Sequence, residues 1–184
     1  MARSDFDTAP ILIPGANGKT GRRVAERLRA LGKNVRAGSR SMEPRFDWND
    51  RATWPAALAG VQRAYVTYQP DLAIPGALDT VSAFFDMALA NGTDRIVLLS
   101  GRGEEEAESA EQALQRSGAS WTILRCSWFM QNFSESFLLN PVREGALALP
   151  VGAISRSLSW TPRTSPMRPS PRSRRPGMRT SSTN

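Results

Sequence analysis

The stretch ILIPGANGKTG, residues 11–21, decides the fold of this 184-residue chain. A short apolar run is followed by Gly15, Gly18 and Gly21 at three-residue spacing, and then by a helical pattern from Arg22 to Leu31. This order predicts a strand, a tight glycine turn and a helix. Glycines let a backbone approach a pyrophosphate, and the N–H groups at the positive end of the following helix attract its charge. The stretch therefore predicts a nucleotide site that also includes Asn17, Lys19 and Thr20.

The spacing of the glycines leaves a second interpretation open. The pattern is G-x-x-G-x-x-G, whereas the common dinucleotide-binding motif is G-x-G-x-x-G. An ordinary strand-to-helix turn with incidental glycines is therefore the alternative to a nucleotide site. A P-loop is excluded, because Ile13 stands at the position before Gly18 where that motif needs a glycine.

The composition excludes several classes of protein. The chain has a single cysteine, Cys126, and no histidine. It can therefore form neither an internal disulfide nor a Ser-His or Cys-His catalytic pair, and no metal site is expected. No apolar run reaches the roughly 18 residues of a membrane span, and residues 1–9 lack the apolar stretch of a signal peptide. We expect a cytoplasmic protein without a membrane partner.

The positive charge is confined to residues 151–184. Seven arginines and no acidic residue lie there, and they account for the whole net charge of +7. The segment is rich in Ser, Pro, Arg and Thr and has no helical or strand periodicity, so we expect it to be disordered. Its arginines suggest nucleic-acid binding as an alternative function, but no groove-reading motif accompanies them. We expect no nucleic-acid partner.

Strands and helices alternate along residues 1–150. We expect strands at residues 11–13, 34–38, 46–48, 63–68, 95–100 and 121–125. We expect helices at residues 22–31, 50–58, 76–91 and 104–117, with Asp50 as an N-cap and the acidic run Glu104 to Glu111 on a solvated face. The alternation predicts an α/β fold with a Rossmann-type, doubly wound parallel sheet, whose ligand lies at the carboxyl ends of the strands.

Five stretches of the sequence resemble the NmrA-like atypical short-chain dehydrogenase/reductase family. They are ILIPGANGKTGRRVAERLRALG, VRAGSRS, FDWND, RIVLLSGRGEEEAESAEQAL and SGASWTILRCSWFMQNFSE. The resemblance covers residues 9–150 and is greatest to bacterial relatives of ergot-alkaloid-type reductases, with type 2 NAD(P)H:quinone oxidoreductases as more distant relatives. It implies a Rossmann domain with a small C-terminal substrate region, and NADP(H) as the cofactor.

The end of the second strand bears on the choice of cofactor. An NAD site usually has an acidic residue there, whereas this chain has Ser39 and Arg40, whose guanidinium would pair with a 2′-phosphate. We therefore expect NADPH over NADH, and a solvated surface arginine is the alternative for Arg40. The resemblance implies that Asp47 and Trp48 line the adenine pocket, or else are a helix-proximal acid and a core tryptophan. The stretch from Thr67 to Pro70, which includes Tyr68, would lie at the carboxyl end of the strand at residues 63–68, beside the cofactor's ribose, or would be a plain loop.

The chemistry expected of the chain differs from that of ordinary short-chain dehydrogenases. Those enzymes place a Tyr-x-x-x-Lys pair after the strand-five serine, but here every tyrosine and lysine precedes Ser100. A quinone or an iminium ion is already electrophilic, so its reduction asks less of the protein. We expect an oxidoreductase that transfers hydride from NADPH to such a small molecule, with no catalytic side chain assigned. A non-catalytic, NADP-binding redox sensor is the alternative.

The substrate end of the site is implied by the resemblance. Ser100 and Gly101 would flank the nicotinamide. A lid over it would be formed by Ser127, Trp128, Phe129, Gln131 and Asn132. Plain core packing is the alternative for the aromatic residues of this stretch.

Residues 151–184 differ from the family pattern. Relatives continue with a segment resembling FVDAEDIADAAVAAL and later HEDELYELTG, which this chain lacks. Codons for SWTPRTSPM, residues 159–167, can be chosen so that reading from one base earlier spells FVDAEDIAD, and MRTSSTN, residues 178–184, likewise gives HEDELYEL. We therefore expect residues 151–184 to be read out of frame. The Rossmann domain, residues 1–150, would then be truncated before its usual C-terminal substrate region.

Overall fold

A parallel sheet organises the described part of the chain, which comprises residues 8–127, 129–135 and 138–145 of a computed structural model. These residues lie within one unit, Met1–Leu147. The sheet has the strand order β2-β1-β3-β4-β5, and all pairings are parallel. Its strands are β1 (Ile11–Pro14), β2 (Val35–Gly38), β3 (Arg63–Val66), β4 (Arg95–Gly101) and β5 (Ser120–Cys126). The expected disordered, out-of-frame tail, residues 151–184, lies outside the described residues.

A helical segment connects each strand to the next. The helices are α1 (Lys19–Ala30), α2 (Trp54–Leu58), α3 (Ala77–Ala90), α4 (Glu105–Arg116), α5 (Gln131–Ser134) and α6 (Leu139–Arg143), and a short 3-10 turn, Arg51–Thr53, precedes α2. The predicted α/β fold with a Rossmann-type parallel sheet is confirmed. Within the described ranges, none of the helices combines the length and hydropathy needed to span a bilayer.

The chain reverses its direction of travel across the sheet at β1. Ile11 pairs with Val35 of β2 on one side and with Arg63 of β3 on the other. The chain moves from β1 to β2 on one side, and then passes back over β1 to form β3 on the other side. This arrangement opens a crevice at the carboxyl ends of the strands, where open α/β sheets bind their ligands.

The two faces of the sheet are packed unequally. Leu12, Ile96 and Leu98 point to the face covered by α2, α3 and α4, where they join a large buried cluster that includes several aromatic rings. Ile13 and Tyr65, which alternate with the residues of the first set, pack against α1 in a smaller cluster. Successive strand residues face opposite sides of a sheet, so this division follows from the alternation along each strand.

The predicted strand at residues 46–48 is wrong. The segment is a loop with a single antiparallel bridge between Asp47 and Asp50. Phe46 and Trp48 are both buried in the aromatic cluster, with their ring centroids 5.0 Å apart, and the indole nitrogen of Trp54 donates to the carbonyl oxygen of Asp47 at 2.8 Å. An apolar-polar-apolar triplet thus enters the core from a turn. The chain bends at this turn because the Asp50 carboxylate caps the next helical turn by accepting from the N–H of Ala52.

Candidate functional site

The glycine turn joins β1 to α1 at the carboxyl edge of the sheet. Gly15 has a left-handed backbone, with φ of +71°, and its N–H donates to the carbonyl oxygen of Gly38 at 2.9 Å. Gly18 precedes α1 and supplies no side-chain cap. The first N–H groups of α1 therefore have no partner within the helix, and they stand at its positive end. An anion of the size of a phosphate matches such a helix start.

The three glycines of the turn serve different purposes. A Cβ atom on Gly21 would lie 2.3 Å from the carbonyl oxygen of Gly15, so Gly21 allows α1 to pack closely on the turn. Gly18 has an extended backbone, with φ of −78°, that any residue can adopt. A Cβ atom there would stand 3.1 Å from the Gly15 oxygen and 3.2 Å from the side-chain nitrogen of Gln69. Gly18 therefore keeps space clear at the cleft described next.

A cleft of about 890 Å³ lies beside this turn. Its volume falls in the range typical of small-molecule sites. The cleft is lined by seven residues predicted from the sequence, which are Gly15, Asn17, Gly18, Ser39, Arg40, Asp47 and Trp48. It is also lined by Gln69 and Pro70, from the stretch expected beside the ribose, and by Gly38, Ser41, Phe46 and Asn49, which the sequence analysis did not assign. Gln69 and Pro70 follow β3, and the rule that ligands lie beyond the carboxyl ends of strands was the signal that pointed to them.

The wall of the cleft after β2 carries both signs of charge. Arg40 is exposed there, next to Ser39 and Ser41, whose hydroxyl oxygens lie 3.3 Å apart. The N–H of Asn49 donates to the Asp47 carboxylate and, with Arg45 at 3.1 Å as a second donor, holds the pKa of that carboxyl below its usual value. Asp47 is thus a fixed anion, while the Arg40 guanidinium stands at the opening of the cleft.

Trp48 belongs both to the cleft and to the core. It lines the cleft, yet only 9% of its surface is exposed, and its indole nitrogen donates to the carbonyl oxygen of Thr67 at 3.2 Å. Tyr68 is half-buried and packs edge-on against Trp48, with ring centroids 5.1 Å apart. The structure therefore places these two predicted residues side by side, and Trp48 is the one that lines the cleft.

The end of β4 is built around a buried carboxylate. Ser100 donates its hydroxyl hydrogen to Glu111 at 2.5 Å, and Arg125 makes a bidentate pair with the same carboxylate. Burial favours a higher pKa for the Glu111 carboxyl, but the hydrogen bonds from Arg125 and Ser100 outweigh it and hold the pKa below its usual value. The expectation that residues 104–111 form a solvated helix face is wrong at Glu111, which is 1% exposed.

Sequence spacing contained a signal for this buried carboxylate. Ala107, Ala110 and Leu114 are all fully buried, and together with Glu111 they form an i, i+3, i+4, i+7 stripe on α4. That stripe is the core-facing side of an amphipathic helix. A buried acidic residue on this side of the helix needs a partner of opposite charge, and Arg125 on the neighbouring strand β5 is that partner. Gly101, next in β4, is covered by the carboxyl group of Glu104, which approaches the position that a Cβ atom would occupy.

The segment after β5 contacts the start of α1. The Lys19 ammonium donates to the side-chain oxygen of Asn132 at 3.0 Å, which joins two predicted site residues that lie far apart in the sequence. Thr20 hydrogen-bonds the phenol of Tyr65, whose pKa is raised by burial. Phe129 and Gln131 are half-buried and Ser127 is exposed. Trp128, predicted as part of the lid, lies outside the described residues.

Known proteins similar to this chain are mostly oxidoreductases. No family model matches the chain. It is 33% identical over 151 residues to the agroclavine dehydrogenase of Claviceps fusiformis, covering 73% of this chain and 52% of that protein. It is 34% identical over 134 residues to the uncharacterized oxidoreductase YesF of Bacillus subtilis, covering 67% and 46%. It is also 30% identical over 167 residues to prestalk A differentiation protein A of Dictyostelium discoideum, covering 82% and 54%.

Solved structures share the fold at low sequence identity. A short-chain dehydrogenase/reductase superfamily protein from Agrobacterium tumefaciens, with bound NAD, has a TM-score of 0.57 at 20% identity, covering 72% of this chain and 55% of that chain. The Citrobacter triphenylmethane reductase complexed with NADP(H) has a TM-score of 0.54 at 18% identity, covering 75% and 56%. These relatives, together with the shared fold, are consistent with the NmrA-like atypical short-chain dehydrogenase/reductase family.

These similarities agree with the resemblance of residues 9–150 to the NmrA-like family. The chain spans about half the length of the curated relatives it matches. The described residues supply the glycine turn, the cleft and the segment that contacts Lys19. No set of three or more His, Cys, Asp and Glu side chains suited to a metal ion occurs among them.

Proposed function

We propose that the cleft binds NADP(H) and that the protein transfers hydride from NADPH to a quinone- or iminium-like small molecule. The observation that carries this proposal is the placement of Gly18 and Arg40 on one cleft, next to the open end of α1. The homologous agroclavine dehydrogenases and the NAD- and NADP-bound structures of similar fold support it.

The residues of the cleft fit a dinucleotide. The N–H groups of the first turn of α1 would hold the diphosphate, because Gly18 leaves the backbone uncovered on that side. Arg40, with the hydroxyls of Ser39 and Ser41, would hold a 2′-phosphate. Asp47 and Trp48 would form the wall for the adenine ring. When bound, the cofactor supplies the hydride and the protein supplies its orientation.

The end of β4 supports an acceptor that needs no proton from a side chain. Ser100 has one hydroxyl hydrogen, and it donates that hydrogen to Glu111. Every tyrosine and lysine of the chain precedes Ser100, so the usual acid of short-chain dehydrogenases is missing from the sequence. An iminium or quinone acceptor is already electrophilic. Exclusion of water by Phe129 and its neighbours would then be the main contribution of the substrate end.

Titration with NADPH and NADH tests the assignment of Arg40. We expect the purified chain to bind NADPH at least about tenfold more tightly, since a charge-assisted hydrogen bond to the 2′-phosphate accounts for that ratio. Arg40→Ala should abolish the preference by weakening NADPH alone. Arg27→Ala, which removes an exposed arginine near the end of α1, is the control and should keep the preference. Equal affinities in the unmodified protein would exclude the role given to Arg40.

The same titration tests the glycine turn. Gly18→Val should weaken both cofactors by about tenfold or more, because the side chain would occupy the space needed by the diphosphate. The backbone of Gly18 is extended, so the variant should fold, and its urea midpoint checks this. Wild-type affinity for both cofactors in Gly18→Val would move the binding site away from the turn.

Turnover separates the reductase from the redox sensor. NADPH oxidation, followed by absorbance, should be stimulated by quinones or iminium ions and barely by simple ketones. Its pH profile should lack the acid limb that a catalytic tyrosine would give. Rapid ketone reduction would contradict the proposed chemistry, and tight NADPH binding without turnover on any acceptor would favour the sensor.

A further inference from the structure

Two polar bridges connect the first turn and a half of α1 with the segment that follows β5. Lys19, the first residue of α1, donates to Asn132 at 3.0 Å. Arg23 donates to Glu135, and Arg22 lies 3.5 Å from the same carboxylate. Hydrogen bonding by Arg23 is the main cause of the lowered pKa of the Glu135 carboxyl. The bridges thus join residues more than a hundred positions apart in the sequence.

These bridges matter because α5 is very short. The helix contains four residues, Gln131–Ser134, and none of them is buried. A single helical turn is not stable on its own in water. The polar contacts from α1 therefore help to fix the position of residues 129–135.

Lys19 stands between this segment and the glycine turn. It follows Gly18 directly, at the positive end of α1. An ammonium group carries three hydrogen-bond donors, and one of them serves Asn132. A second donor can serve an anion seated on the first turn of the same helix without breaking the bond to Asn132.

We propose that Lys19 couples occupancy of the glycine turn to the position of residues 129–135. A diphosphate oxygen and the Asn132 side chain share its ammonium group, so binding of the cofactor fixes the segment next to the substrate end. Lys19 and Asn132 are then positioning residues for the acceptor. This inference rests on the proposed function, because it takes the diphosphate of a dinucleotide as the ligand.

Hydrogen exchange followed by mass spectrometry on the full chain tests the coupling. ADP, which has a diphosphate but no nicotinamide, is compared with NADPH, each at a concentration that calorimetry shows to be saturating for the variant studied. Both ligands should slow exchange of the amides of residues 129–135 by about threefold or more. In Lys19→Met and Asn132→Leu, saturating ligand should give no such slowing, and without ligand the same amides should exchange faster than in the unmodified protein.

Two further variants separate coupling from a general loss of structure. Asn132→Asp keeps an acceptor for the Lys19 ammonium group, so ligand should still slow exchange of the amides of residues 129–135 in this variant. Arg27→Met changes another cationic side chain of α1 and should behave like the unmodified protein. The coupling is overturned if Lys19→Met retains the slowing, if only NADPH produces it, or if bound ADP leaves these amides unchanged. Absence of any binding in calorimetry would instead overturn the proposed function, and the inference with it.

Discussion

The glycine turn after β1 and the end of β4 lie on the same edge of the sheet but are built in opposite ways. At the turn, the chain presents backbone N–H groups and removes side chains, as at Gly18 and Gly21. At the end of β4, polar side chains are present, but Ser100 and Arg125 both bind the buried carboxylate of Glu111. The first region is shaped for a ligand, whereas the second is internally satisfied.

The difference indicates how the two ends of the site divide the work. A backbone turn needs no partner until a phosphate arrives, so it can bind without giving up an existing bond. A hydroxyl that already donates to a buried carboxylate would have to break that bond before it could protonate a substrate. Under the proposed function, binding specificity is therefore concentrated near β1, and the β4 end contributes shape and stability.

The largest effect is expected from crowding the turn. Gly21→Ala should destabilise the fold by about 2–3 kcal/mol, because the new Cβ atom would stand 2.3 Å from the Gly15 oxygen, and backbone atoms cannot move aside cheaply. Helix propensity alone would predict that Gly21→Ala stabilises the protein by about 0.5–1 kcal/mol. Urea unfolding followed by far-UV circular dichroism measures the difference.

Gly18→Ala is the matched control for this prediction. Its Cβ atom would keep distances of 3.1 Å and 3.2 Å from its neighbours, and its backbone is extended. It should cost less than about 1 kcal/mol. If Gly21→Ala were as stable as the unmodified protein, close packing of α1 on the turn would not be what this glycine provides.

A smaller effect is expected from removing the buried charge at the other end. Glu111→Gln should lower stability by about 1–2 kcal/mol at pH 7, because the neutral amide is a weaker partner for Arg125 and Ser100. The pKa of the Glu111 carboxyl is lowered in the folded state, so its stabilising effect is present above the unfolded value near 4.5 and is lost as pH falls through the folded value. The difference in the free energy of unfolding between Glu111→Gln and the unmodified protein should therefore become smaller in acid.

Glu105→Gln shows what an exposed acid on the same helix contributes. Glu105 lies in the first turn of α4 and is exposed. Its replacement should therefore change stability by only about 0.3–0.5 kcal/mol. Urea midpoints of the three proteins between pH 3 and pH 7 give the comparison. A gap for Glu111→Gln that stays constant over this range would mean that its charge is not what stabilises the end of β4.

The same contrast explains which features could be predicted from the sequence. The glycine turn, the Asp50 cap and the helix end before Gly118 depend on residues close in the chain, and the structure has all of them. The burial of Glu111 and the contact between Lys19 and Asn132 depend on partners brought together only by folding. Local patterns determine backbone conformation, but the neighbours of a polar side chain are set by strand order and helix packing.

The cleft shows a mixture of both kinds of information. Its residues after β1 and β2 could be assigned because the carboxyl ends of adjacent parallel strands meet at one edge. Asn49 and Ser41 could not, because residues 39–50 form neither a helix nor a strand of the sheet, so no periodicity indicates which of their side chains face the cleft. The apolar-polar-apolar pattern of residues 46–48 was misleading for the same reason, since a loop can bury two aromatic rings as well as a strand can.

Apart from the control variants, the smallest effect is expected from the Ser100 hydroxyl, which joins β4 to the Glu111 carboxylate. Ser100→Ala should cost about 1 kcal/mol, since it removes one hydrogen bond to a carboxylate that keeps its pair with Arg125. In the Glu111→Gln background, Ser100→Ala should lower stability by less, because the carboxylate acceptor is already gone. A double-mutant cycle built from urea midpoints measures this coupling. A coupling of the predicted sign would establish Ser100 and Glu111 as one unit in solution. Strictly additive costs would show instead that the hydroxyl hydrogen is free to point elsewhere, and Ser100 would then become a candidate proton donor at the end of β4.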